Sequence, residues 1–149
     1  MDILTHPHTK NQALAELDHL AQADRQRRDF ITRAVAYGCC AVIVTPADQP
    51  AGYGVLDYTF YDFGFISMLY VGLAYRRQGL GRRLLGYLED QCHTPKVFTS
   101  TNLSNRPMQA LLAKAGYHLS GTLHDLDADD PELVYVKALG GEAEPAGEP

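Results

Sequence analysis

Residues 75–90 read "YRRQGLGRRLLGYLED". Gly79 and Gly81 sit between two arginine pairs, and Leu80, Leu84, Leu85 and Leu88 follow at helical spacing. Glycine permits a tight turn in which main-chain N–H groups come close to a ligand. A helix that opens there leaves its first N–H groups without intrahelical partners. Those donors, the helix dipole and arginine charge together suit a phosphate. Taken alone, the stretch also reads as an ordinary strand-to-helix turn with solvated arginines. Two nucleotide motifs are excluded. The dinucleotide fingerprint requires a third glycine where Leu84 stands, and the Walker A loop requires Gly-Lys-Ser/Thr.

The flanks alternate strands and helices. Upstream, "CCAVIVT", "YGVLDYTFY" and "GFISMLYV" read as three strands close enough in sequence to form a meander. Before them, Leu14, Leu17, Leu20 and Ala21 predict a helix over Asn11–Ala21. Asp24 caps a second helix with Phe30, Ile31, Ala34, Val35 and Tyr37 as its apolar set and Gly38 at its end. "DILTH" is a candidate first strand. Downstream come a strand, "KVFTST", and a helix with Met108, Leu111, Leu112 and Ala115 inward and Gly116 closing it. "YHLSGTLHDL" alternates, with Tyr117, Leu119 and Leu123 on one face. "DADDPE" is an acidic turn, and "LVYVKAL" is the last strand. The expected class is α/β: a mixed central sheet with parallel neighbours in its middle, flanked by about four helices. Residues 1–139 form a single domain in this reading, and the "GGEAEPAGEP" stretch, 140–149, is a disordered tail.

Bulk properties narrow the function classes. The chain has 149 residues, 46% hydrophobic and 21% charged, which suits one soluble globular domain. A net charge of −5 argues against a general nucleic-acid binder. The longest apolar run, "CCAVIV", is too short to span a bilayer, and "MDILTHPHTK" lacks the apolar segment of a signal peptide. Cys39, Cys40 and Cys92 have no zinc or disulfide spacing, so no metal is expected and reduced thiols in the cytoplasm are.

The stretch "MLYVGLAYRRQGLGRRLL" resembles the acetyl-CoA-binding core of the GNAT superfamily of N-acetyltransferases, in which an apolar strand precedes Arg/Gln-x-x-Gly-x-Gly/Ala at a helix start. Arg76, Gly79 and Gly81 match. A second stretch, "NRPMQALLAKAGY", is similar to that family's later helix at Asn105, Gly116 and Tyr117. The resemblance implies a GNAT fold and acetyl-CoA as cosubstrate. Its pyrophosphate would lie on the turn formed by Arg76, Arg77, Gln78, Gly79, Leu80, Gly81 and Arg82. Its pantetheine arm would lie along the backbone of Leu69, Tyr70 and Val71, much as an added strand does. The Asn105 side chain would reach the same arm, and it is also a candidate helix cap.

The resemblance implies acetyl transfer to a primary amine by direct attack on the thioester. Small molecules and peptides both remain open as acceptors, with the enzyme a monomer or homodimer. A protonated alkylamine must lose a proton first. Positions where the family often carries acid or base read Ser67, Met68, Ser100 and Leu112. A non-catalytic acyl-CoA-binding or regulatory module is therefore the alternative. Candidate catalytic groups are Glu132 at the acidic turn and Tyr135 on the last strand, with Asp127, Asp129, His118 and His124 nearby. Each also reads as a solvated turn or strand residue. Tyr58, Tyr61 and Tyr70 either line an acceptor pocket or pack in the core.

Overall fold

A computed structural model describes residues 1–5 and 10–140. Its elements are β1 (Asp2–Leu4), α1 (Asn11–Leu17), α2 (Arg25–Ala36), β2 (Cys40–Val44), β3 (Pro50–Phe60), β4 (Phe63–Val71), α3 (Leu80–Gln91), β5 (Lys96–Asn102), α4 (Arg106–Lys114), β6 (His118–Leu123) and β7 (Glu132–Ala138). This is the order expected from the sequence. The expected tail at 140–149 lies, apart from Gly140, outside the described residues. Among the described residues, no helix is long and apolar enough to cross a membrane.

The strands form one mixed sheet in the order β1-β2-β3-β4-β5-β7-β6, with β4 and β5 as its parallel neighbours. The helices cover both faces. Leu14, Ile31, Ala34 and Val35 of α1 and α2 pack with Val42, Tyr53, Val55 and Tyr70, and Met68 joins this cluster. On the opposite face, Leu85 and Leu88 of α3 and Leu112 of α4 pack with Leu56, Ile66 and Val97, and Leu69 lies against them. Side chains thus alternate along β4, with Met68 and Tyr70 toward α1/α2 and Leu69 and Val71 toward α3.

Two irregularities in β4 shape the site. In its register with β3, Met68 opposes Val55 but Ile66 opposes Leu56, so Ser67 is an extra residue, a β-bulge. Its parallel pairing with β5 covers only Gly64–Ile66 opposite Val97–Thr99, while β5 runs on to Asn102 against β7. Thr99 Oγ1 donates to the Ile66 carbonyl at 2.8 Å, at the point where the two strands part. Beyond it, the edge of β4 from Ser67 to Val71 faces an opening between β4 and β5.

Three sequence expectations are corrected. Helix α1 ends at Leu17 rather than Ala21. The carboxylate of Asp18 accepts from the N–H groups of Leu20 and Ala21, and that local turn competes with further helix. Tyr37 is exposed, because the chain turns away at Gly38. Strand β6 is the outer edge of the sheet and all of it is exposed. Its register shifts between Leu119 and Gly121, which breaks the alternation expected of Tyr117, Leu119 and Leu123.

Candidate active site

The turn after β4 carries two residues in the left-handed region, Arg77 at φ 63° and Gly79 at φ 77°. Gly79 is the N-cap of α3, and a Cβ there would meet no heavy atom within 4 Å. Its requirement is therefore conformational. An L side chain at that φ is strained, whereas glycine is not. Gly81 differs. A Cβ there would make ordinary contacts with Leu111 and Val71, at 3.5 and 3.7 Å. The side chain of Leu80 is buried against Ile43 and Leu84, so only its main chain can face a ligand. Arg77, Gln78 and Arg82 are exposed around the turn.

Arg76 fastens this turn to the strand. Its Nε donates to the Val71 carbonyl at 2.9 Å, and its guanidinium lies 5.5 Å from the centre of the Tyr70 ring. Across the opening, Asn105 caps α4, its side chain accepting from the Met108 N–H at 3.3 Å. The expected cap role is thus present, and the side-chain NH2 is the end with donors to offer. Ser67 Oγ, at the bulge, is buried and has no hydrogen-bond partner among the described residues.

The register separates the two proposed catalytic side chains. Glu132 pairs with Asn102 and therefore shares its side of the sheet, the α1/α2 side. Tyr135 pairs with Thr99 and packs against the cluster of α3 and α4. The acidic loop before β7 forms an open cleft of about 400 Å³ lined by Asp125, Asp127, Asp129 and Asp130. Two of these carboxylates are engaged within the loop region. Asp127 accepts from the Asn102 side chain at 2.9 Å, and Asp130 accepts from Ser104 Oγ and N at 2.6 and 3.0 Å.

His118 and His124 are exposed at the sheet edge and beside that loop. Tyr58 and Tyr61 are remote from the opening. They lie toward the β3–β4 hairpin, where Tyr58 stacks on His93 at 4.0 Å and Tyr61 is exposed. Burial pushes the Cys40 thiol up to about 12 and also raises that of Cys39, so both stay protonated near neutrality.

Sequence reading missed a polar network on the α1/α2 side of β4. Asp18 is fully buried and accepts from Tyr53 Oη at 2.6 Å and from Arg27 Nε at 2.7 Å. Burial first, then the Asp18 carboxylate, pushes the Tyr53 hydroxyl far above its usual range. Next to Asp18, exposed His19 places Nδ1 2.6 Å from the hydroxyl of Tyr70. A signal was present. Leu14, Leu17, Asp18 and Ala21 have the spacing of one helical stripe, and a carboxylate within an apolar stripe needs a partner.

A family model described as "Acetyltransferase (GNAT) family" matches residues 3–117. The chain belongs to the GNAT acetyltransferase family. A GNAT-family acetyltransferase from Bacillus cereus ATCC 10987 superimposes with a TM-score of 0.84 at 27% identity, over 92% of this chain and 96% of that one. The structure of yncA from Salmonella typhimurium with its cofactor acetyl-CoA gives a TM-score of 0.75 at 18% identity, over 97% of each chain. An aminoglycoside 6'-N-acetyltransferase complexed with coenzyme A gives 0.79 at 15% identity, over 97% of this chain and 100% of that one. At these last two identities the likeness is one of GNAT fold. No curated protein matches the chain.

Proposed function

We propose that this GNAT protein is an acetyl-CoA-dependent N-acetyltransferase that acetylates a primary amine, carried by a small molecule or a peptide, by direct attack on the thioester. The observation that carries this reading is the unpaired edge of β4 beyond Ile66, which runs directly into the Arg77/Gly79 turn. An amide-bearing arm needs main-chain partners along its length, and an open strand edge supplies them. A pyrophosphate needs several N–H donors at one point, and the start of α3 supplies those. Running from the turn past Val71, the arm brings the thioester toward Leu69, whose main-chain N–H then serves its oxygen, where preorganised donors matter most. Asn105 binds the arm from the α4 side, and Ser67 Oγ offers a hydroxyl at the reacting end. The net charge of −5 fits a cationic acceptor better than a nucleic acid. The free thiols of Cys39, Cys40 and Cys92 fit a cytoplasmic enzyme.

The test is release of free CoA from acetyl-CoA across a panel of amines, with affinity measured in parallel by calorimetry. Turnover with at least one amine is expected. Binding without turnover on any amine favours the acyl-CoA-binding module instead. Absence of binding rejects both readings.

A further inference from the structure

We infer that the rings of Phe60, Phe63, Phe65 and Phe98 form an acceptor subsite, and that the acceptor is an amine carrying an aromatic ring. The inference rests on the proposed acetyl transfer. Four of the five phenylalanines of the chain lie in this one group. Phe60 stacks on Phe65 with ring centres 5.2 Å apart, and Phe98 lies 4.9 Å from Phe60 and 5.5 Å from Phe63. None of the four belongs to the three buried clusters of the core, and each is only half-buried. The rings thus pack on one another outside the core and leave a continuous aromatic surface, the kind of patch that marks a binding site.

Their face and position tie them to the opening between β4 and β5. Ile66 and Val97 pack under α3 and α4, so their neighbours Phe65 and Phe98 point to the opposite face. On that face the cluster beneath α1 and α2 reaches β4 at Met68 and Tyr70 and does not include Phe65. Phe65 pairs with Phe98 at the centre of the short parallel ladder that ends at Ile66 and Thr99. These two rings are therefore the last pair on this face before the strands part. Ser67, at the bulge, follows two residues later, about 7 Å along the strand. On the other face, α3 and α4 cover both strands. A cosubstrate held in the opening by the main chain of β4 leaves the acceptor to come over the phenylalanine face.

Charge is laid out to match. Glu132 pairs with Asn102, four residues past Phe98 and on the same face. A carboxylate and the rings thus flank the opening. An amine placed across it sets its ring on Phe65 and Phe98 and turns its ammonium toward the opening and Glu132. Aromatic rings meet other rings in stacked or edge-on contact with a gain beyond burial alone. A polyhydroxylated sugar or a polyamine would lose water over four phenylalanines and gain no hydrogen bond in return.

The test uses pairs of amines with the same alkyl chain, one ending in a phenyl ring and one in a methyl group, with spermidine as a polycation. In the wild type, kcat/KM is expected to be at least tenfold higher for the phenyl member of the best pair, and lowest for spermidine. In Phe98→Leu, which keeps apolar bulk and removes the ring, KM for that phenylalkylamine is expected to rise about fivefold. Its alkyl counterpart should stay within twofold, with acetyl-CoA affinity and melting temperature unchanged. Equal kcat/KM within every pair overturns the subsite, as does a Phe98→Leu variant that weakens both members alike. Sedimentation velocity tests the other occupant of this face. A wild-type dimer that Phe98→Leu converts to monomer gives the face to a second copy of the chain and overturns the subsite. Calorimetry of the phenylalkylamine on CoA-loaded protein separates the inference from the reading beneath it. Ring-dependent binding that weakens in Phe98→Leu, without turnover of any amine, keeps the subsite and rejects acetyl transfer. Turnover of amines without ring-dependent binding rejects the subsite alone, and neither binding nor turnover rejects both.

Discussion

Arg76 Nε donates to the main-chain carbonyl of Val71 at 2.9 Å. This one bond ties the last residue of β4 to the turn that begins α3. It holds the strand edge and the phosphate cradle at a fixed offset. A charge-assisted hydrogen bond of this kind is worth roughly 1.5–3 kcal/mol where it is shielded, and less at an exposed site such as this one. Arg76→Gln removes the charge. We expect acetyl-CoA affinity to fall by about tenfold, measured by calorimetry, with a melting temperature close to wild type. Undiminished affinity would show that the turn keeps its place without this bond.

Gly79 and Gly81 look alike in the sequence and answer to different constraints. Gly79→Ala places a Cβ at φ 77°, a conformation costing about 1–2 kcal/mol for an L side chain, so both stability and cosubstrate affinity should drop. Gly81→Ala meets only ordinary contacts in the first turn of a helix, where alanine is preferred over glycine by roughly 0.5–1 kcal/mol. Its melting temperature should hold or rise while acetyl-CoA affinity falls, because the new methyl group stands where the main chain must approach the phosphates. Thermal melts and calorimetry on the two variants separate these effects.

Legibility followed the range of the interactions involved. Caps and breakers are local, so Asp24, Gly38, Asn105 and Gly116 marked real helix ends. Strand existence was also local, as the β-branched content of "CCAVIVT" showed. The bulge at Ser67 and the parting of β4 from β5 after Ile66 arise from pairing between strands and left no mark in "GFISMLYV". The faces of Glu132 and Tyr135 depend on register with β5 and were likewise hidden. Asp18 could have been found. A buried carboxylate met by Arg27 and Tyr53 was announced by its place in an apolar stripe, but its partners could not be named without the fold.

Alkaline pH should destabilise the protein through its buried thiol. The Cys40 thiol is raised from 9.0 to about 12, chiefly by burial and then by Cys39. In the unfolded chain it ionises above its ordinary value, whereas in the folded chain it keeps its proton. The folded state therefore binds more protons between those two values, and stability falls as pH rises through that window. The slope is about 1.4 kcal/mol per pH unit for this group, and the raised hydroxyls of Tyr53 and Tyr117 act in the same direction from about pH 10. Urea denaturation at pH 8 and pH 10.5 should show the loss. Cys40→Ala, which cannot ionise, should show a smaller one.

Glu132 offers a charge at the start of β7, on the α1/α2 side of the sheet. It opens β7 beside Asn102, and a strand end holds it better than the loop holds Asp129. One oxygen of Asp127 accepts from Asn102, and both oxygens of Asp130 accept from Ser104. A carboxylate there attracts an ammonium, and the attraction grows as bound acceptor displaces water. The role expected of Glu132 is attraction. Glu132→Gln should then raise KM for a cationic amine several-fold, leave kcat and acetyl-CoA affinity near wild type, and show no rescue at higher pH. The effect should shrink as ionic strength rises, since salt screens a partly exposed charge. A fall in kcat that alkaline pH restores would instead make Glu132 a proton acceptor, and wild-type kinetics would return it to the surface of the turn.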